Sequence, residues 1–191
     1  MAIYKRALHG LKSDASLLRA YARGDASAFD VFYARHKDTM FHYLCSQISP
    51  RTAAEEVSQE IWMAVISNAT TFEERGNARS WIYAIAYRRI ADHWRKHYSE
   101  AEHIDTGEGA LDEALKHAST SGHQESEQFA EELRQGIHTL PEEQRQSFLL
   151  REQGFSYQEI ADITGTGAET VKSRLRYAKS TLREYFGEIH A

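Results

Sequence analysis

Apolar residues recur along this chain at helical spacing, and turn residues interrupt them at intervals. Ser13 or Asp14 is placed to cap a short first helix carrying Leu17, Leu18 and Tyr21, which Gly24 ends. Asp25 is placed to cap a long second helix whose inner face reads Phe29, Phe32, Met40 and Tyr43. His36 falls on that same face, which predicts a packed, hydrogen-bonded core histidine. Beyond Pro50 the pattern predicts a third helix from about Thr52 to Asn68, with Ala54, Val57, Ile61, Ala64 and Val65 as its buried stripe. Its other side is unusual. Glu55, Gln59, Trp62 and Ile66 follow one another at i, i+4, i+7 and i+11, with Glu56 and Met63 beside them. Two readings of this mixed acidic and aromatic face stand: a protein-binding surface, or a face covered by another helix of the same domain.

A fourth helix is predicted from the cap residue Asn77 to about His97, with Tyr83, Tyr87, Ile90 and Trp94 as its core face. Trp81, Arg88 and Arg95 fall opposite at i, i+7 and i+14, flanked by Ile85, Arg89 and Lys96. Cations neutralise phosphates and an aromatic ring stacks on bases, so this face predicts nucleic-acid contact over a plain solvated surface. His93 and His97 at i, i+4, and the His42-x-x-Cys45 pair, lack further ligands nearby, so no metal site is expected.

The C-terminal part carries the sharpest local signal. Pro141 is expected at the first position of a helix, with Glu142 and Glu143 in the first turn and Phe148, Leu149 and Leu150 on the core side, up to Gly154. Ser156-Tyr157-Gln158-Glu159 then reads as a capping box opening a short helix with Ile160, Ala161 and Ile163. Gly165-Thr166-Gly167 is a tight turn. The helix after it buries Val171, Leu175, Ala178 and Leu182 and turns Glu169, Thr170, Lys172, Ser173, Arg176 and Tyr177 outward. Helix, glycine turn and helix form the helix-turn-helix pattern, whose second helix enters the major groove.

Few prolines and the lack of alternating β-branched runs predict an all-α fold. At 41% hydrophobic and 27% charged, the 191-residue chain belongs with globular proteins and not disordered ones. The longest apolar or aromatic run, Ile82 to Tyr87, is far short of the roughly 20 residues of a membrane span. The first residues show no secretory signal, and the lone Cys45 fits a reducing cytoplasm. A net charge of −5 speaks against a simple polybasic DNA binder, but its distribution changes the picture. Residues 1–98 hold 14 basic and 10 acidic side chains, residues 99–132 hold 1 and 10, and residues 133–191 hold 8 of each. The acidic middle segment, with Gly107, Gly109 and Gly122, reads as a flexible linker with a short helix near Leu111–His117. The expected organisation is therefore a domain at 1–98, a linker at 99–132 and a helix-turn-helix domain at 133–191. Within the last, Glu169–Tyr185 still holds five basic residues against two acidic.

Several of these segments together resemble a known family. Ala54-Glu55-Glu56-Val57-Ser58-Gln59-Glu60-Ile61-Trp62 is similar to region 2.2 of bacterial RNA polymerase sigma factors of the sigma-70 family. The run from Ala78 to His93 resembles their regions 2.3 and 2.4. Leu140–Arg145, Gly154–Ala161 and Thr170–Leu175 resemble region 4. The order, and the lack of regions 1.1 and 3, resemble the short extracytoplasmic-function (ECF) class. The resemblance implies two small helical domains, the region 2 bundle and the region 4 helix-turn-helix, with no cofactor and no catalysis of their own. It implies that Glu55, Glu56, Gln59, Trp62, Met63 and Ile66 bind the clamp helices of core RNA polymerase, with some region 4 surface on the flap. Arg75, Asn77, Arg79, Trp81, Arg88, Arg89, Arg95 and Lys96 would serve the −10 element, where the loop Thr71–Asn77 accepts a flipped base. Glu169, Thr170, Lys172, Ser173, Arg174, Arg176 and Tyr177 would read the −35 element. The family also implies an anti-sigma partner, and a linker that threads the polymerase's basic channel.

Two departures from the family bear on base choice. Glu73 and Glu74 in the −10 loop repel phosphate. Glu169, at the start of the groove-entering helix, does so too, yet it is able to accept a hydrogen bond from a cytosine amino group. The rival expectation is a conventional helix-turn-helix regulator that binds operators without polymerase. An enzyme is remote, since no phosphate loop, nucleophile elbow or metal set is visible.

Overall fold

The computed structural model describes residues 9–73, 77–103 and 124–189, with side chains over 9–73, 77–97 and 131–187. The described elements are helical: α1 (Asp14–Ala22), α2 (Ala26–Cys45), α3 (Arg51–Asn68), a 3-10 turn (Ala69–Thr71), α4 (Ala78–His103), α5 (Gln124–His138), α6 (Glu142–Glu152), α7 (Tyr157–Thr164) and α8 (Ala168–Ile189). The chain divides into two compact units, Met1–His103 and Ile104–Ala191. The expected short helix near Leu111–His117 lies outside the described residues. Helix α4 continues past residue 98, and α5 begins inside the acidic stretch read as linker.

In the first unit, Ser13 caps α1 by accepting from the Ser16 amide, and Gly24 adopts φ +96° after its end. Asp25 precedes α2 but does not cap it. Its carboxylate instead accepts from His9 Nε2 at 3.0 Å and Ser27 Oγ at 2.6 Å. Leu17, Leu18, Phe32, Met40, Tyr43, Leu44, Ile61, Ile82, Tyr83 and Ile90 form the core. Ile82 and Ala86 lie on the buried face of α4 with Tyr83 and Ile90, whereas Tyr87 and Trp94 are only partly buried. Burial holds the Tyr43 hydroxyl far above its ordinary pKa and raises those of Tyr83 and Cys45.

Polar contacts tie the start of this unit to α2. Arg35 donates to the carbonyls of Gly10 (2.7 Å) and Lys12 (2.8 Å) and to Asp14 Oδ1 (2.7 Å). His36 lies 2.8 Å from Asp14 Oδ2, the hydrogen-bonded, packed setting its position in the sequence predicts. The His36 contact, supported by Arg35, holds the Asp14 carboxyl below its usual range against the opposing effect of burial.

The second unit buries Leu140, Leu150, Phe155, Ile160, Val171, Leu175 and Ala178. Pro141 stands at the N-cap of α6, one position before the first helical residue. The Ser156 and Glu159 capping box is complete: Ser156 Oγ accepts from the Glu159 amide, and Glu159 Oε2 accepts from the Ser156 amide at 2.8 Å. Gly165 closes α7 at φ +68°, a left-handed conformation that costs glycine least, and so sets the entry of α8.

Candidate functional site

Three surfaces carry the chemistry, two on the first unit and one on the second. The first is the outer side of α3. Glu55, Glu56, Gln59, Met63 and Ile66 are exposed, Met63 by 62% and Ile66 by 39%. Trp62 is not part of that exposed set. It is 7% exposed, with its ring 4.8 Å from Tyr33, 6.3 Å from Phe29 and 6.4 Å from Phe32, all in edge-on geometry. The expectation that Trp62 lies on the binding face is therefore corrected. It follows Ile61 around the helix, and α2 supplies an aromatic wall that the large indole reaches. The two readings of the face thus divide within one helix: α2 covers Trp62, while its neighbours stay open. Two residues missed in the sequence belong to this surface. Glu60 is exposed beside Gln59, and Tyr33 is 39% exposed over Trp62. The Phe29 and Tyr33 i, i+4 spacing was the signal for the latter.

The second surface is the basic side of α4. Asn77 Oδ1 accepts from the amides of Arg79 (3.0 Å) and Ser80 (3.3 Å), which fixes the helix start. Trp81 is partly buried and meets Phe72 edge-on at 5.5 Å. It lines a groove of about 260 Å³ with Asn68, Thr71, Ile85, Arg88 and Asp92. Arg88, Arg95 and Lys96 are exposed. Asp92 tempers this charge, lying 3.0 Å from Arg95 and 4.0 Å from Arg89. Arg79 turns back over the Tyr83 ring at 5.6 Å. Arg75 lies outside the described residues. His93 of α4 has its pKa lowered chiefly by burial and then by His97, against the opposing charges of Glu60 and Glu56 of α3. Among the described residues no group of three or more His, Cys, Asp or Glu side chains is placed to hold a metal ion.

The third surface is the outer side of α8. Glu169, Thr170, Lys172, Ser173, Arg176 and Tyr177 are all exposed, opposite the buried Val171, Leu175, Ala178 and Leu182. Glu169 Oε1 accepts from Lys172 Nζ at 2.6 Å, and that contact raises the Lys172 pKa. The Arg176 guanidinium lies 5.0 Å from the Tyr177 ring. Arg174, expected on the DNA face, is placed elsewhere. Its side chain is 14% exposed and donates to Glu143 Oε2 of α6 at 2.5 Å. It borders the Val171–Leu175 stripe, so packing α8 on α6 turns it inward. Tyr157, at the first position of α7, was missed. It is 39% exposed, under the Arg151 guanidinium at 5.1 Å. The capping box was the signal, because a cap at Ser156 leaves the next side chain in solvent.

A capped, glycine-turned helix-turn-helix with a cationic outer face, in one chain with a bundle that has one acidic-apolar and one basic-aromatic surface, defines a two-domain helical transcription protein. Comparison with known proteins specifies the class. The family model described as Sigma-70 region 2 matches residues 32–100, and that described as Sigma-70, region 4 matches residues 130–182. The ECF RNA polymerase sigma factor EcfG of Rhodopseudomonas palustris (strain TIE-1) is 32% identical over 130 residues, 68% of each chain. The ECF RNA polymerase sigma factor SigC of Mycobacterium tuberculosis (strain CDC 1551 / Oshkosh) is 28% identical over 170 residues, covering 87% of this chain and 88% of that one. The fold matches that of CnrH, solved with the cytosolic domain of CnrY, at a TM-score of 0.71 and 19% identity over 93% of this chain and 99% of that one. It also matches the sigma factor RpoE, solved with the anti-sigma factor NepR from Bartonella quintana, at a TM-score of 0.67 and 22% identity over 83% and 96%. The chain belongs to the sigma-70 family, as an ECF RNA polymerase sigma factor. It is thus an initiation subunit that binds core polymerase and directs it to promoters, and no described helix is long and apolar enough to cross a membrane.

Proposed function

We propose a division of labour among the three surfaces. The exposed strip of α3, Glu55, Glu56, Gln59, Met63 and Ile66, docks on the clamp helices of core polymerase, with Trp62 holding the strip in place from beneath. Asn77, Trp81, Arg88, Arg89, Arg95 and Lys96 of the basic side engage the opened −10 strand, cations on phosphates and the indole on a base. The outer face of α8 enters the major groove of the −35 element, and a region 4 surface meets the flap. An anti-sigma protein is a further partner of the chain and holds it inactive; in support, the similar sigma factor RpoE was solved in complex with the anti-sigma factor NepR from Bartonella quintana.

One observation carries this assignment: unlike surfaces are sorted onto different helices of the first unit. Acidic and apolar groups stay exposed on α3, and arginines with a half-buried tryptophan stay on α4. A protein that must hold a subunit and DNA together needs two such unlike faces. Its test is a paired assay of core affinity and promoter melting. Gln59→Ala and Met63→Ala are expected to weaken core binding, and Arg88→Ala to spare core binding while slowing strand opening. Equal effects of all three on both readouts would refute the division.

A further inference from the structure

We propose that Glu169 and Lys172 act as one unit that reads a single C·G base pair of the −35 element. The inference rests on α8 being the −35 helix and names what that helix selects. Glu169, Lys172, Ser173 and Arg176 stand at i, i+3, i+4 and i+7, so they share the face of α8 opposite its buried stripe. Glu169 occupies the leading, N-terminal end of that face, with its side chain 85% exposed. A helix that enters the groove by its N-terminal residues brings this carboxylate to the base edges first. There it cannot face a phosphate. The base groups it can accept from are exocyclic amino groups, cytosine N4 or adenine N6.

Lys172 decides between them. Its ammonium is held 2.6 Å from Glu169 Oε1, so the pair presents an acceptor and a donor side by side. In a C·G pair the cytosine N4 donor and the guanine O6 acceptor are hydrogen bonded to each other, about 2.9 Å apart, a spacing the ion pair mirrors. Guanine N7 adds a second acceptor next to O6, which suits a charged ammonium with three hydrogens. An A·T pair also sets a donor beside an acceptor, but the thymine methyl occupies the neighbouring position and gives the ammonium only one oxygen. The Glu169 contact biases Lys172 toward the paired arrangement, which lowers the side-chain freedom lost on contact. An exposed ion pair of this kind adds little to fold stability, so replacing either partner leaves α8 folded and the base profile interpretable.

The test is transcription by holoenzyme reconstituted with the full chain on promoters randomised across the −35 element. Wild type is expected to prefer C·G over other pairs at one position by about tenfold. Glu169→Ala should erase that preference and leave the remaining positions unchanged, and Lys172→Ala should weaken it at the same position. Glu169→Gln should move the preference toward adenine, whose N6 and N7 an amide matches. An unchanged base profile in Glu169→Ala would overturn the proposal. So would a uniform gain across all sequences, which would reduce Glu169 to phosphate repulsion. If randomising the −35 element has no effect and Arg176→Ala initiates normally, the −35 assignment of α8 falls, and the proposal with it.

Discussion

Replacing Trp62 by alanine separates core from interface on a single helix. The side chain is 7% exposed and meets three aromatic rings of α2. A buried tryptophan removes about 150–250 Å² from water, which at about 25 cal/mol/Å² corresponds to roughly 4–6 kcal/mol. Measured truncations of buried aromatics fall at about 3–5 kcal/mol, and we expect Trp62→Ala in that range. Against a typical domain stability of about 5–15 kcal/mol, this is a large share of what holds the first unit folded. Trp62→Phe should cost much less. It keeps most of the ring contact and removes an indole N–H that is buried with no hydrogen-bond partner among the described residues. Met63→Ala, at a position 62% exposed, should stay within about 0.5 kcal/mol of wild type. Urea titration followed by circular dichroism, alongside core-binding measurements, reads all three. A Trp62→Ala loss below about 1 kcal/mol with weakened core affinity would refute the burial argument and return Trp62 to the binding face.

Ser156→Ala removes the cap of α7 and should destabilise the second unit by about 1 kcal/mol, read as a lower unfolding midpoint. Glu143→Ala strips the partner from the largely buried Arg174, and should lower stability by about 1–2 kcal/mol with no change in −35 base preference, whereas Arg176→Ala should do the reverse. Asp14 has its folded pKa lowered below the ordinary 3.8, so its contribution is complete above that value and is lost as pH falls through the lower folded value. Asp14→Asn should therefore flatten the acid limb of a stability-versus-pH curve, and an unchanged limb would refute the Asp14–His36 coupling.

Helix starts were readable because their chemistry is local. A serine or asparagine cap, the Ser156–Glu159 reciprocity and the Gly165 turn each depend on residues within four positions. Buried stripes were readable for the same reason: Ala54, Val57, Ile61, Ala64 and Val65 are all buried. What escaped depends on distant partners. The Phe29 and Tyr33 spacing on α2 marks an aromatic strip, but nothing in it says that Trp62, on another helix, is what it covers. Arg174 pairs with a carboxylate 31 residues away. Asp25 looked like a cap until His9, 16 residues earlier, took its carboxylate. Acidic composition hid the start of α5, although Leu133 and Ile137 in the same helix already stand at i, i+4. On the outer face of α8, residue type and periodicity sufficed to choose the side, but the Glu169–Lys172 contact needed coordinates.

Promoter-dependent transcription tests the central claim most directly. Core polymerase, the 191-residue chain, and both together are supplied with a promoter library, and transcript starts are mapped. Defined starts are expected only when both proteins are present, with −35 and −10 sequence dependence. Tight operator binding by the chain without core, and no promoter-directed start with it, would contradict the account and favour a conventional helix-turn-helix regulator.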